Sequence, residues 1–596
     1  MAKRTLGWVQ NPGSLRTLKN VVAMFVPTSP FREYLKNVRL PLLLKNDLIS
    51  EEHFKLFVEL LNHSSVEPIN YAVLKGKGGS TSRKKVLCTG LVQACIDAQK
   101  NVDVKTLSGE TTTMKKPYVD DWSADGYLRW AISTGLVEYD VAADVCKVSP
   151  AGERLVNAAD GSKEEHKIYG EALLSYPPVC RVLSLLGNKE PHTKFEIGRE
   201  LGFVGEKGFT SVPQAYYAAI LNEVSPTERA SVRNNLEGDS DKYGRMIAGW
   251  CQKMGWVTKV KVIRNERYDG SEYTLKIDAF KITVMGERAL KRSEGYSRYP
   301  KIPKRVFFEM LATKATDAKF LRHRRARIIE YLKSGKKVSV DSIAKYLQQN
   351  GIVADAFTIK DDLKGLARIG LNIIIPTDNN VVMTDKIIDL IIPQEKVICE
   401  QITEIKDRIR RRLSLVDHRY LTLVDLAYSD AADANRKNAD AKEFELETAS
   451  LFVDELKFFG KRLGSASRPD VVVSYDTYGL IIDNKSYSNG FSVDAHNADE
   501  MARYVLDNKN RLSHVPPNEW WKWFSEDVCH FYFLFVTSFF KGNYRDNLRG
   551  IALRTGIDGA GINVEQLLYV AEAIKSTRMT HEELFALMKN DEIIVM

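Results

Sequence analysis

The residues with the clearest capacity for chemistry lie near the C-terminal end of the chain, between Pro469 and Lys485. Asp470 comes directly before the apolar run VVVSY, and Asp483 directly follows the apolar run LII. Because side chains alternate along a strand, we expect Asp483 and Lys485 on one face and Asn484 on the other. Two carboxylates and one ammonium group are therefore expected to converge where two strands end.

These side-chain types indicate phosphodiester chemistry with a bound metal ion. Carboxylates on rigid strands suit Mg²⁺, which proteins usually hold through one or two carboxylates, water and substrate phosphate. Such an ion lowers the pKa of bound water and stabilises charge on a phosphodiester, while Lys485 orients that water. Glu445, on the preceding helix, is expected to reach the same ion. The pattern is PD-(D/E)xK, the signature of a large class of metal-dependent nucleases.

The same spacing also has a purely structural interpretation. An Asp after a Pro is often a turn residue, and a Lys at the end of a strand is often a solvated charge. The neighbouring apolar runs argue against this interpretation, because they place the charges where buried strands end and where unpaired groups are unfavourable.

Charge is unevenly distributed along the chain. The 596 residues carry a net charge of +9. Residues 1–400 hold 61 Lys and Arg against 47 Asp and Glu, whereas residues 401–596 hold 25 against 30. The basic part predicts contact with a polyanion such as nucleic acid; a solvated basic surface without a partner is the alternative.

Cysteine usage and hydropathy exclude several classes of protein. The seven cysteines are scattered and never in CxxC spacing, which argues against a disulfide framework and a zinc ribbon. No run of about 20 apolar residues occurs, and the N-terminus lacks the apolar segment of a signal peptide. We therefore expect a protein of the reducing cytoplasm with no membrane contact.

One pattern recurs three times at domain-sized intervals: a helix, a Gly, a strand, a turn and a second strand. The copies are RWAISTGLVEYDVAADVCKVSPAGERLV, GWCQKMGWVTKVKV with FKITVMGERAL, and GLARIGLNIIIPTDNNVVMT. Gly135, Gly255 and Gly370 stand at the expected helix C-caps, and each strand pair forms a wing. Winged-helix units commonly bind DNA, although they also serve as protein contacts.

This pattern predicts an α+β multidomain chain in which three winged-helix-like subdomains precede an α/β domain. The predicted units are residues 1–150, 151–298 and 299–394 for the subdomains, 395–415 for a linker helix, and 416–596 for the C-terminal PD-(D/E)xK domain.

Nine segments give the chain a resemblance to a known family. They are GWVQNPG, DDWSADGYLRW, RNNLEGDSDKYGRMIAGW, IPKRVFFEMLAT, RPD, IIDNKSYS, ADEMARYV, PNEWW and FKGNY. In this order, along essentially the whole chain, they resemble the FokI-like type IIS restriction endonucleases. The resemblance implies a bacterial enzyme that reads a short asymmetric DNA site, expected to be GGATG or a close variant, and cuts both strands outside it.

The resemblance also implies roles for particular residues. Catalysis would fall on Asp470, Asp483 and Lys485, with Glu445 in support. Mg²⁺ would bind the two aspartates and the backbone carbonyl of Asn484. The implied DNA-recognition residues are Gln10, Asn11, Arg83, Trp122, Asn234, Glu237 and Lys242, whose types suit base edges. The implied partners are double-stranded DNA and, in the host, a cognate DNA methyltransferase.

A second copy of the chain is a further expected partner. One active site attacks one phosphodiester at a time, so cutting both antiparallel strands favours two copies related by a two-fold axis. Asp499 and Arg503 stand four residues apart on one helix face, and the resemblance places them at positions that pair across a transient dimer. An intrahelical ion pair is the alternative.

Two rival functions remain open on the sequence alone. One is a DNA-binding regulator whose nuclease domain is inert, and the other is a repair or recombination nuclease that acts on DNA structure. The presence of both aspartates and the lysine argues against the first rival. The absence of a Walker motif argues against an ATP-driven form of the second.

Overall fold

A computed structural model describes most of the chain. The described residues are 6–10, 12–77, 87–268, 270–313, 317–375, 379–394, 399–429, 434–464, 467–516 and 518–595, without the side chains at 231, 234, 235 and 434–436. Among the helices in these ranges, none combines the length and apolar character that crossing a bilayer requires.

The first part of the chain is mainly helical and carries two small sheets. Its helices are α1 Leu15–Ala23, α2 Pro30–Tyr34, α3 Leu40–Lys45, α4 Glu51–Asn62, α5 Tyr71–Lys75, α6 Leu91–Ala94, α7 Asp121–Ser133 and α8 Pro150–Asn157. Its strands are β1 Ile69–Asn70, β2 Asn101–Lys105, β3 Thr111–Lys115, β4 Val137–Asp140 and β5 Val145–Val148.

The second part contains a long hairpin. Its helices are α9 Lys163–Ser175, α10 Pro177–Leu186, α11 Lys194–Arg199, α12 Gln214–Glu223, α13 Arg229–Asn235, α14 Asp239–Lys253 and α15 Val284–Glu294. Its strands are β6 His192–Thr193, β7 Val257–Tyr268 and β8 Ser271–Ile282.

The third part is the smallest. Its helices are α16 Ala318–Leu332, α17 Val340–Gln349 and α18 Ala356–Arg368. Its strands are β9 Lys304–Arg305, β10 Val338–Ser339, β11 Ile373–Ile374, β12 Asn380–Met383 and β13 Ile387–Ile388. Ser339 caps α17 by accepting a hydrogen bond from the Ser342 amide, the usual role of a Ser at a helix N-cap.

The same small sheet forms in all three parts. The strand orders are β1-β5-β4, β6-β8-β7 and β10-β12-β11, so each wing hairpin gains a short third strand from earlier in its own unit. The helix that precedes each hairpin ends at a Gly with a left-handed backbone: φ is +71° at Gly135, +69° at Gly255 and +106° at Gly370. A Gly accepts this conformation without strain, which explains the recurring pattern.

The three parts share one apolar core. Buried side chains pack continuously from Leu6 to Ile387, and the indole rings of Trp130 and Trp250 stack 4.4 Å apart between the first and second parts. A shared core marks no boundary between the subdomains, so the predicted boundaries stay a prediction.

The C-terminal domain is a mixed sheet between helices. Its strands are β14 Phe459–Arg462, β15 Val471–Tyr475, β16 Tyr478–Lys485, β17 His530–Thr537 and β18 Gly559–Asn563. They lie side by side in this order; the pairs from β14 to β16 are antiparallel and those from β16 to β18 are parallel. The helices are α19 Gln401–Arg412, α20 Thr422–Ala427, α21 Ala434–Ser450, α22 Ala495–Asn510, α23 Tyr544–Thr555, α24 Val564–Lys575 and α25 His581–Ala586.

Both faces of this sheet are buried. Val471, Val473 and Ile482 join one apolar cluster, whereas Val472 and Ile481 join another on the opposite face. Burial on both sides explains the continuous apolar runs before the turn and before Asp483 in the sequence.

The predicted linker helix corresponds to α19, although residues 395–398 at its start lie outside the described ranges. This helix is packed on both sides and is not a free connector. Ile405 and Ile409 belong to the C-terminal core, while the buried Lys406 ammonium lies 3.2 Å from Asp317 and 2.7 Å from Asp425.

Candidate active site

The β15–β16 hairpin positions the two aspartates. Val471 and Ile482 are partners in the antiparallel ladder, so Asp470 and Asp483 follow at the next pair of positions. Directly opposite residues of an antiparallel pair point to the same face. The buried strands thus hold two carboxylates side by side where the hairpin opens.

The polar contacts show how the site is fixed. The Asn484 amide donates to Asp470 Oδ2 at 2.7 Å, and Lys485 Nζ lies 2.8 Å from Asp483 Oδ2. The Asn484 side chain turns away and donates to Thr448 Oγ1 on α21 at 2.7 Å. Asp483 and Lys485 therefore share a face opposite Asn484, as strand alternation predicts.

Glu445 is close to the aspartates but is already paired. It lies on α21, and its Oε2 accepts from Arg462 Nε of β14 at 2.6 Å. Burial raises the pKa of Glu445 while Arg462 lowers it, and the charge of Asp483 adds to the upward shift. The charge of Asp483 thus shifts the pKa of Glu445, while the hydrogen bond from Arg462 fixes the position of the Glu445 carboxylate.

The carboxylates destabilise one another in their ionised forms. Burial, followed by the charges of Asp483 and Glu445, raises the pKa of Asp470 well above its usual range. Burial also raises the pKa of Asp483, although Lys485 opposes the shift. Burial lowers the pKa of Lys485, but the nearby carboxylates outweigh it and raise this pKa above its ordinary value.

The donor set fits a hard divalent cation. Asp483 Oδ2 is buried and accepts no well-aligned hydrogen bond within the described residues, although Lys485 stands beside it. Across the same residues, no group of three or more Asp, Glu, His or Cys side chains is arranged to hold a metal. Two carboxylates are nevertheless sufficient for Mg²⁺, whose other ligands are usually water and phosphate.

Two residues that the sequence did not single out complete the site. Glu500 on α22 brings Oε2 to 3.4 Å from Lys485 Nζ, and its Oε1 accepts from the Tyr504 hydroxyl at 3.0 Å. Their four-residue spacing is visible in EMARY, but that spacing does not reveal which face of the helix meets Lys485.

The residues implied in DNA recognition are only partly described. Asn11 and Arg83 lie outside the described residues, as does the side chain of Asn234. Trp122, Glu237 and Lys242 line one cavity of about 740 Å³, which residues of α21 in the C-terminal domain also line.

The individual environments of these side chains differ. Trp122 is half exposed. Glu237 is engaged by Arg245 Nε at 2.8 Å and by Lys194 Nζ at 3.4 Å. Gln10 Nε2 donates to the Tyr243 hydroxyl at 3.0 Å, which places Gln10 beside the helix that carries Lys242.

Asp499 and Arg503 both lie exposed on α22. Asp499 forms an ion pair with Arg554 of the adjacent helix α23. Asp499 therefore pairs with Arg554 rather than with Arg503, the partner that an intrahelical ion pair would require.

Comparison with known proteins covers the whole chain. Family models match in four segments: "FokI, recognition domain, subdomain 1" at residues 4–158, "FokI, recognition domain, subdomain 2" at 165–298, "FokI, D3 domain" at 311–378, and "FokI, cleavage domain" at 399–595. The order of these segments confirms the predicted architecture of recognition subdomains followed by a PD-(D/E)xK-type domain.

Individual relatives agree with the family models. The type II restriction enzyme FokI of Planomicrobium okeanokoites is 36% identical over 602 residues, covering 99% of each chain. The type II restriction enzyme StsI of Streptococcus sanguinis is 29% identical over 584 residues, covering 96% of this chain and 92% of its own.

Solved structures of restriction endonuclease FokI are similar along the full length. One structure of FokI matches with a TM-score of 0.83 and 36% identity over 100% of both chains. The structure bound to DNA matches with a TM-score of 0.86 over 99% of this chain and 100% of the other. The chain therefore belongs to the FokI family of type II restriction endonucleases, which are site-specific deoxyribonucleases.

Proposed function

We propose that this protein is a type IIS restriction endonuclease that binds a short asymmetric site in double-stranded DNA and hydrolyses both strands at a fixed distance outside it. The observation that carries the proposal is the pairing of Asp470 with the buried Asp483 beside Lys485, at the open end of a rigid hairpin. This site follows a basic region of three winged-helix-like units, the arrangement expected of an enzyme that binds in one place and cuts in another.

The proposed catalytic roles follow from the positions of the side chains. Asp470, Asp483 and the carbonyl of Asn484 would hold Mg²⁺, which supplies charge stabilisation for the phosphate and a more acidic bound water. Lys485 would hold the scissile phosphate and orient the attacking water from the same face. Glu445, fixed by Arg462, would add negative potential that favours cation binding.

Substitution in the active site tests this assignment. Asp470→Ala and Lys485→Ala should each abolish cleavage of plasmid DNA in Mg²⁺, while site-specific binding measured by fluorescence anisotropy stays as in the wild type. The two functions separate because they lie in different domains. Loss of binding in either variant would contradict the separation, and an inactive wild type that still binds its site would favour the rival DNA-binding regulator.

The proposed target is GGATG or a close variant, read by Gln10, Trp122, Glu237 and Lys242 together with Asn11, Arg83 and Asn234. Polar types of this kind discriminate between base edges in the major groove. Sequencing the ends of fragments from a complex DNA digest identifies the site and the cutting offset together. Fragment ends without a common sequence at a fixed distance would instead indicate a nuclease that recognises DNA structure.

We further propose that cutting requires two copies of the C-terminal domain, which meet transiently on DNA through Asp499 and Arg503. An isologous interface needs self-complementary patches, and adjacent opposite charges on α22 provide both halves of one. Because Asp499 already pairs with Arg554, its partner across the dimer would compete with an exposed and therefore weak ion pair.

Charge reversal tests the dimer. Asp499→Arg alone and Arg503→Asp alone should each cut poorly at limiting enzyme, whereas their equimolar mixture should recover activity because opposite charges meet again across the interface. The measurement is the cleavage rate on single-site DNA as a function of enzyme concentration. A rate that rises only linearly with wild-type concentration would exclude this model.

In its host the enzyme would act in the bacterial cytoplasm beside a cognate DNA methyltransferase that protects the same site. This pairing is functional and needs no physical contact between the two proteins.

A further inference from the structure

The Lys485 ammonium lies between two carboxylates from different elements. Asp483 Oδ2, on the same strand, is 2.8 Å away, and Glu500 Oε2, on helix α22, is 3.4 Å away. Asp483 is also a candidate metal ligand. When it shares its charge with a cation, its attraction for Lys485 weakens, and within the described residues Glu500 is the second carboxylate in contact with this lysine.

Glu500 is fixed by its surroundings. The Tyr504 hydroxyl donates to Glu500 Oε1 at 3.0 Å, one helical turn away. Tyr504 is only 3% exposed and meets the Trp520 ring edge-on at 6.4 Å. The neighbouring Met501 is fully buried and anchors α22 against the sheet. The carboxylate of Glu500 is therefore held by a rigid frame that is independent of Asp483.

We propose that Glu500 is a positioning residue that keeps the Lys485 ammonium aligned with the scissile phosphate, with Tyr504 orienting Glu500. The proposal rests on the proposed function of Lys485 in cleavage. A positioning residue of this kind holds a charged group in the geometry that the reaction needs. A misplacement of about 1 Å costs roughly 10²-fold in rate. Glu500 itself makes no contact with substrate in this role.

Four variants test the proposal. Glu500→Ala removes the carboxylate, Glu500→Gln keeps an acceptor oxygen in the same shape, and Tyr504→Phe removes the hydroxyl that orients it. The matched control is Glu519→Ala, because Glu519 is an ion-paired glutamate of the same domain whose partner is Lys522. For each variant we would measure the single-turnover cleavage rate at saturating DNA, the DNA affinity and the melting temperature.

The expected pattern is specific to positioning. Glu500→Ala should lower the cleavage rate about 10²-fold with unchanged DNA affinity and melting temperature. Glu500→Gln should recover most of the loss, Tyr504→Phe should lose activity several-fold, and the control should match the wild type. Wild-type rates in Glu500→Ala would overturn the proposal, as would a loss that follows the melting temperature and is not rescued by Gln.

A second measurement tests the contact between Glu500 and Lys485 without measuring DNA cleavage. Reductive methylation of each lysine is followed by peptide mass spectrometry in the wild type and in Glu500→Ala. Lys485 should react several-fold faster in the variant because its ammonium has lost a carboxylate partner, while Lys522 reacts at an unchanged rate. Equal reactivity of Lys485 in both proteins would overturn the proposal. If the wild type failed to cleave DNA but showed this protection, the proposed function would fail and the positioning contact would stand.

Discussion

At the scale of single residues, the site is built from groups that are unfavourable together. Asp470 and Asp483 lie at paired positions of a hairpin; desolvation raises the pKa of both, and the charge of Asp483 raises that of Asp470 further. Folding energy from the apolar strands holds them there. A bound cation would relieve this repulsion, so the site is organised for an ion at some cost to the stability of the free protein.

A conservative substitution should expose this cost. Asp470→Asn keeps an acceptor for the Asn484 amide and removes one negative charge, so we expect the domain to gain about 1 to 2 kcal/mol in free energy of unfolding at pH 7 while cleavage is lost. Urea denaturation without added metal measures the gain. The matched control is Asp476→Asn in the exposed turn, which should change stability little.

The pH dependence of this gain has a definite sign. The folded-state pKa of Asp470 is raised, so the folded protein retains a proton that the unfolded chain releases above the ordinary value of 3.8. The wild type therefore loses stability relative to Asp470→Asn as the pH rises from about 4 toward the folded pKa. A difference that grows as the pH falls would contradict the assignment.

At the scale of elements, glycines determine how the wing hairpins meet their neighbours. Gly370 ends α18 with φ +106°, and a Cβ there would lie 1.9 Å from the Pro177 carbonyl oxygen at the start of α10. Gly351 follows α17 with φ +75° and has nothing within 4 Å of the same position. Substitutions at the two glycines therefore distinguish two effects. At Gly351 only the backbone conformation opposes a side chain, whereas at Gly370 a contact with another element opposes it as well.

Alanine at each glycine should differ in effect. Gly351→Ala should cost about 1 to 2 kcal/mol, because only the left-handed backbone is strained. Gly370→Ala should cost about 1 to 3 kcal/mol more, because the third unit must also move away from α10. Urea denaturation compares the two variants, and equal losses would show that the contact with Pro177 yields without cost.

At the scale of the whole molecule, the C-terminal domain is docked on the second recognition unit. Val453, which follows α21, lies in an apolar cluster with Tyr216 and Leu236. Lys207 forms an ion pair with Asp440 of the same helix, and both side chains are nearly fully buried. The domain that would cut DNA is therefore held against the units that would read it.

Removing the buried cation should loosen this docking. Lys207→Met leaves Asp440 buried beside Glu443 without its partner, which typically costs about 3 to 5 kcal/mol. Hydrogen exchange should then accelerate along α21 and α12. The double variant Lys207→Met with Asp440→Leu should restore most of the protection, because both members of the buried ion pair are then removed together.

A more exposed ion pair at the same interface serves as the control. Lys461 lies 3.1 Å from Glu223, which is about one-third exposed, so Lys461→Met should change docking by less than about 1 kcal/mol. If both lysine variants accelerated hydrogen exchange equally, the contribution of the Lys207–Asp440 pair to docking would not depend on its burial.

Local patterns in the sequence were sufficient for several features. The helix, Gly and hairpin repeats predicted the three wing hairpins but not the short third strand that each sheet gains, because helix ends and tight turns depend on residues within a few positions. The alternation of Asp483, Asn484 and Lys485 predicted their faces, because strand geometry has a fixed period of two. The roles of these residues in catalysis stay a prediction.

Contacts between distant elements were decided by the tertiary structure alone. Glu500 contacts Lys485, and Arg462 forms an ion pair with Glu445. Asp499 pairs with Arg554 of a neighbouring helix. These contacts form because packing fixes the orientation of each element. A sequence period shows which residues share a face, but it does not show what that face meets. The partner is chosen by the summed burial of many apolar side chains, and that sum exists only in the folded molecule.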